Sequence, residues 1–229
     1  MGLRGCGVPG LGLGASAPRP FVPTALPGCA LWLRGDLGLI PNGADLAAWT
    51  NQTGGVSPVQ TDPTKQPAHS ATGPNSTAAV AFDGVDEYLT GAAFSLAQPC
   101  HIFAIAKLSA TPAVSQLCDA GTDNKRRIYS TAGGIFTYNG ANLGVAKTPN
   151  AWRRIETFLN GVSSSIRVDD ATASGNSGTG AASGLIIGAR GGLSAYGDCT
   201  IAELIMYSGE VTGAGLAALR AYLLDRYGL

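Results

Sequence analysis

What most constrains the fold of this chain is its punctuation. Asp83-Gly84, Asn139-Gly140 and Asn160-Gly161 each follow a short apolar or aromatic run: Val80-Ala81-Phe82, Phe136-Thr137-Tyr138 and Thr157-Phe158-Leu159. Asn-Gly and Asp-Gly tolerate the positive φ angles of a type I′ turn, so the two Asn-Gly pairs predict two-residue hairpins. Ser165-Ile166-Arg167-Val168 alternates with period two, as a return strand should. Ala30 to Leu33, Ile102 to Lys107, Leu185 to Ile187 and Ile201 to Tyr207 are further apolar runs of strand length. Gly is 33 and Pro 13 of 229 residues, which breaks the chain too often for long helices. Strands at about ten-residue spacing with turn signals between them predict an all-β fold, a two-sheet antiparallel sandwich.

One helix is expected, at the C-terminal end. Leu216, Leu219, Leu223 and Tyr227 follow Thr212 with helical spacing, Arg220 and Arg226 suit the negative end of the helix dipole, and Gly228 suits its C-cap. Its single apolar face predicts packing on the sandwich.

Residues 1–28 differ in character. Gly interrupts every apolar stretch, and Pro18, Pro20, Pro23 and Pro27 impose extended backbone. Such a segment has little with which to build a core, so it is expected to be an extended assembly arm held by a neighbouring subunit or larger assembly. Residues 29–229 form the domain. The opening residues have the outline of a secretory leader, but glycines and Pro9 break its apolar stretch.

Charge and cysteine content narrow the function classes. Lys plus Arg equals Asp plus Glu at 15 each, so the basic field of a nucleic-acid binder is missing. No run of about 18 apolar residues is present, so no membrane-spanning helix is expected. Cys6, Cys29, Cys100, Cys118 and Cys199 lie far apart, with no C-x-x-C pair and no Cys/His cluster. Buried free thiols are expected, with neither a disulfide framework nor a zinc site. No cofactor and no metal is expected.

Several segments, taken in order, resemble the concanavalin A-like lectin/glucanase sandwich in its laminin-G-like branch. They are Phe21-x-Pro23-x-x-Leu26-x-Gly28-x-x-Leu31-Trp32-Leu33, then Trp49-x-Asn51-Gln52-x-Gly54, Gln66-Pro67 and Val80-x-Phe82-Asp83-Gly84-x-Asp86-x-Tyr88-Leu89. Phe158-x-Asn160-Gly161, Gly184-Leu185-Ile186-Ile187-Gly188 and Ala202-Glu203-Leu204-Ile205-x-Tyr207 resemble the late strands. The resemblance implies a jelly roll used for binding carbohydrate or protein. Domains with this lead-in are common in virion surface proteins of tailed phages and phage-like particles, as head decorations, spikes or fibre parts. It therefore implies a multi-copy virion-surface location, assembled in the host cytoplasm, with other virion proteins as partners through the arm.

Catalysis is weighed on the carboxylates. Glycoside hydrolases of this fold carry a run such as Glu-x-Asp-x-x-Glu on one strand face, and this sequence has none. Asp83, Asp86 and Glu87 cluster around a turn, His69 and His101 lie far apart, and no nucleophile elbow is present. Glu203, inside an apolar strand, reads as a structural hydrogen-bonding group. The chain is therefore expected not to be an enzyme. A calcium ion on one rim remains open, although no EF-hand-like ligand ladder is present. A sugar site needs an aromatic platform beside amide and charged groups. The best candidates are Tyr138, Asn139 and Asn142 at one hairpin tip, and Asp123 and Arg126 in the loop Asp123 to Arg127. The expectation is a structural or adhesion component that binds host surface polysaccharide. The alternatives are a secreted carbohydrate-binding module and, third, a glycoside hydrolase.

Overall fold

The computed structural model describes residues 20–111, 113–121 and 124–229. The strands in chain order are β1 (Cys29–Arg34), β2 (Leu39–Asn42), β3 (Asp45–Trp49), β4 (Ala68–Thr72), β5 (Ala78–Asp83), β6 (Leu89–Thr90), β7 (Cys100–Leu108) and β8 (Ser115–Asp119). They continue with β9 (Arg127–Thr131), β10 (Gly134–Tyr138), β11 (Asn142–Val145), β12 (Trp152–Leu159), β13 (Ser164–Val168), β14 (Ala171–Gly175), β15 (Ile186–Ile187) and β16 (Asp198–Ser208). Helix α1 (Gly213–Tyr227) follows.

These strands make two antiparallel sheets. The larger runs β14-β13-β12-β7-β16-β5-β4-β3-β2, with β1 also paired to β16; the smaller runs β11-β10-β9-β8-β15-β6. Side chains such as Leu31, Leu33, Phe82, Ile102, Leu117, Ile128, Ile155 and Ile187 fill the space between them. A second apolar layer lies on the outer face of the larger sheet, where Leu219, Leu223 and Tyr227 of α1 cover Trp32, Phe103, Ile205 and Tyr207. β1, β7 and β16 are thus buried on both faces, which is why they read as continuous apolar runs rather than alternating ones. Trp32 belongs to the layer under the helix, while its neighbours Leu31 and Leu33 face the sandwich core.

β16 holds the larger sheet together. Its first half pairs with β5 and its second half with β1, while β7 runs along the other edge. The register against β7 shifts between Ile201 and Glu203. Cys199 and Ile201 face the sandwich core before this bulge, and Leu204 and Met206 face it afterwards. The extra residue inverts the parity of the strand and turns Glu203 toward the helix.

The hairpins differ from the two-residue turns expected. Tyr138 pairs with Asn142, leaving three residues in that loop. Asn160 to Ser163 separate β12 from β13 through a 3-10 turn at Gly161–Ser163. The cause at the first loop is tertiary: the Asn139 side chain is drawn inward to bond other loops.

Residues 20–28 are seated on the domain. Phe21 packs on Tyr222 with ring centroids 5.7 Å apart, Pro23 is buried, and Tyr207 Oη donates to the Pro23 carbonyl at 2.9 Å. Gly28 has φ +78°, and a Cβ there would fall 2.6 Å from the Ser208 carbonyl oxygen. Residues 1–19 of the expected arm lie outside the described residues.

Candidate functional site

The outer face of the smaller sheet gathers the polar and aromatic groups. In β9 and β10, Ile128 and Ile135 point into the core, so by the two-residue period Arg127, Tyr129, Phe136 and Tyr138 point outward. The register sets them side by side: Arg127 opposite Tyr138, Tyr129 opposite Phe136, Tyr138 opposite Asn142 and Phe136 opposite Gly144. A Cβ at Gly144 would fall 2.1 Å from the Phe136 ring. Glycine there lets the ring lie across β11.

The face is rigidly held. Tyr129 and Phe136 stack with centroids 5.5 Å apart and an interplanar angle of 24°. The Arg127 guanidinium lies 3.9 Å above the Tyr129 ring, and its Nε donates to Gln116 Oε1 at 2.7 Å. Tyr129 Oη donates to Asn142 Oδ1 at 2.7 Å, which leaves the exposed Asn142 amide to donate outward. At the rim, the Lys125 ammonium sits 5.8 Å from the Tyr138 ring centroid. Beyond β8, Arg190 Nε donates to Asn124 Oδ1. Asp119 is buried between these groups, its oxygens accepting from the Ala120 and Gly191 N–H groups at 2.8 and 2.9 Å. Burial pushes its carboxyl up to about 6, against the opposing pull of those N–H groups and of Arg127 and Arg190.

Tyr138 and Asn142 therefore lie on this face. Arg126 and Asn139 do not, which corrects the sequence expectation. Arg126 is 1% exposed and Asn139 is 0% exposed. Arg126 donates through Nη1 to the Leu96 carbonyl at 3.1 Å and through Nη2 to that of Gly184, beneath Phe94. Asn139 Oδ1 accepts from the Arg126 backbone N–H at 3.0 Å, and its Nδ2 donates to the Gly180 carbonyl at 2.9 Å. These side chains fasten loops together. Asp123 lies outside the described residues. Sequence reasoning missed Tyr129, Phe136 and Arg190. The alternation in Arg127-Ile128-Tyr129 and Ile135-Phe136-Thr137-Tyr138 could have revealed the first two, and nothing local reveals Arg190.

Two other places compete. A groove of about 920 Å³ runs beside α1, lined by Phe21, Arg34, Tyr222, Asp225 and Arg226 among others. Its two guanidiniums already share Asp36, with Arg34 Nε and Arg226 Nη2 each 2.6 Å from a carboxylate oxygen. His101, Glu156 and Arg220 form a second cluster, in which Arg220 donates to both Glu156 oxygens and the Val211 N–H donates to His101 Nδ1. That cluster is closed and joins α1 to the sheet. The groove also sets the Phe21 and Tyr222 rings beside arginines, but both of those are paired with Asp36, whereas the arginines of the sheet face are held by neutral amides.

No family model matches the sequence, and no curated protein matches it significantly. Solved structures do share its fold. A sialidase of Trypanosoma rangeli in complex with sialic acid superposes with a TM-score of 0.61 at 13% identity, over 87% of this chain and 33% of the sialidase. Domain 4 of AbnA, a GH43 extracellular arabinanase from Geobacillus stearothermophilus in complex with arabinotriose, superposes at 0.55 and 13% identity, over 81% of this chain and 94% of that domain. The chain thus spans about a third of the sialidase it matches. At such identities the likeness establishes the β-sandwich fold. It also corrects the expectation that the chain is not an enzyme. The fold occurs within sialidase and arabinanase structures, and some glycosidases use a tyrosine nucleophile in place of a second carboxylate, so the missing carboxylate run excludes nothing.

Proposed function

We propose that this chain binds glycans through the outer face of its smaller sheet. The observation that carries this reading is the pairing of Tyr138 with Asn142 across β10 and β11, beside the flat-lying Phe136 ring. Aromatic faces stack on the C–H faces of sugars, while amide and guanidinium donors read the hydroxyls. The sugar-bound sialidase and arabinanase-domain structures that share the fold lend support. An open face buries little of a sugar, so affinity per copy is low and many copies acting together make it effective.

The setting we propose is the surface of a phage-like particle, with the Gly/Pro-rich arm as the attachment to neighbouring proteins. Its support is the resemblance of the Phe21 to Leu33 lead-in to those of such proteins. The binding test is a glycan array probed with the full chain and with a Tyr138→Ala, Asn142→Ala double variant. Binding that the double variant loses supports the reading, and binding that it retains refutes it. Incubation of responding glycans with the chain, followed by a reducing-end assay, decides whether hydrolysis accompanies binding. Co-sedimentation of the chain with particles from its source tests the setting.

A further inference from the structure

The candidate face carries a charge imbalance that a neutral sugar would not require. Lys125, Arg127 and Arg190 make no ion pair among the described residues. On the larger sheet and its helix, Arg34, Arg153, Arg220 and Arg226 are each paired with a carboxylate, while Arg154 and Arg167 donate to backbone carbonyls.

The two arginines of the face are held in the same way. Arg127 is tied through Nε to Gln116 and stacked on Tyr129, and Arg190 is tied through Nε to Asn124. Among the described residues, both guanidiniums are anchored through Nε and their terminal nitrogens have no protein acceptor. Gln116 Nε2, buried beside Arg127, is a further donor with no partner among the described residues. Burial weakens the hold of Arg127 on its proton and the Arg190 charge acts in the same direction, while Asp119 and the neighbouring tyrosines oppose it. The carboxylate closest in influence, Asp119, is turned to the backbone N–H groups of Ala120 and Gly191. Two guanidiniums fixed in place with their forks free form a preorganised receptor for a planar or tetrahedral oxyanion.

We infer that the ligand of this face is an acidic glycan, whose carboxylate or sulfate ester is held by the terminal nitrogens of Arg127 and Arg190 while its ring rests on Phe136 and Tyr138. This rests on the glycan-binding reading above and narrows it to a chemical class.

The test is calorimetry of the full chain against uronate-, sialate- and sulfate-bearing oligosaccharides, each paired with a neutral twin made by methyl esterification or desulfation. At least one acidic member should bind ten-fold or more tightly than its twin, and 0.5 M NaCl should abolish most of that preference. The identity of the preferred acid separates carboxylate from sulfate recognition. Arg190→Gln, in a loop, should remove the preference with an unchanged melting temperature, and Arg127→Gln should do the same at some cost in stability. Tyr138→Ala should weaken acid and twin alike. Equal affinity for acids and twins, or a preference that survives in both arginine variants, overturns the inference while the glycan reading stands. Failure of every oligosaccharide to bind overturns both.

Discussion

The Trp32 indole N–H donates to Glu203 Oε1 across 2.6 Å, linking the two strands that meet beneath the helix. Tyr222 Oη donates to the same oxygen at 2.9 Å, and Tyr227 Oη donates to Oε2 at 2.8 Å. One buried carboxylate thus accepts from β1 and twice from α1. Burial raises its affinity for a proton, and these donors oppose the rise.

Glu203→Ala removes the shared acceptor and leaves three donors in an apolar layer. Each unsatisfied buried donor costs about 1–3 kcal/mol. Tyr227 Oη keeps the Ala202 carbonyl at 3.4 Å and Tyr222 is half-buried, so the expected loss is about 2–4 kcal/mol. Urea unfolding measures it. A loss below about 1 kcal/mol would show that the helix is held by apolar contact alone.

Glu156 gives the fold an acid limit. Burial favours its neutral form, but hydrogen bonds from His101 and Arg220 hold the carboxyl down to about 2, below the usual 4.5. A depressed carboxyl contributes stability above its unfolded pKa, and that contribution is lost as pH falls through the folded value. Melting temperature should therefore fall between about pH 4.5 and 2, and Glu156→Gln should flatten that part of the profile. An unchanged slope in the variant refutes this account.

Phe82 reports on the sandwich core. Its ring lies against Gly188, where an added Cβ would fall 2.2 Å from Cδ1 and where φ is +80°. Phe82→Ala should cost roughly 3–5 kcal/mol. Gly188→Ala should also destabilise, through steric overlap and strain together. Chemical denaturation of both variants checks the pairing.

Asn139 and Asn142, three positions apart, should respond oppositely. Asn139→Ala deletes the acceptor for the Arg126 N–H and donors to the 178–180 loop, so stability should fall by about 1–3 kcal/mol. Asn142→Ala, at an exposed position, removes only the acceptor of the Tyr129 hydroxyl, so it should cost less stability than Asn139→Ala while weakening glycan binding. The reverse pattern would show that the face is wrongly placed.

Asp119 sets a pH dependence for the proposed acidic ligand. Its neighbours are the Ala120 and Gly191 N–H groups and the Arg127 and Arg190 cations. Protonation as pH falls through about 6 removes the negative charge beside those arginines. Affinity for an oligosaccharide that stays ionised should therefore rise between pH 7 and 5. Asp119→Asn should bind with little change across that range; a titration with the opposite trend would count against the arrangement.

The strands β1, β5, β7, β10, β12, β13, β15 and β16, the helix and its apolar stripe could be read locally, because period-two and period-3.6 patterns follow from which face of an element is wet. Short strands such as β2, β4 and β14 carry no such pattern. Glu203, expected as a structural hydrogen-bonding group, proves to be one, because a carboxylate in an apolar strand must find donors. What local pattern could not reveal was set by contacts distant along the chain. Ala202 and Glu203 lie inside an unbroken apolar run, and only the competing demands of β5 and β1 on β16 place a bulge there. Arg126 and Asn139 have the composition of a binding loop, yet carbonyls at positions 96, 180 and 184 draw them inward. Arg190 joins the face from 63 residues beyond Arg127 because β15 pairs with β8. Hydrophobic period is a property of neighbours in sequence; the partner that a polar side chain finds depends on how the sheets close, and that was decided by the tertiary fold.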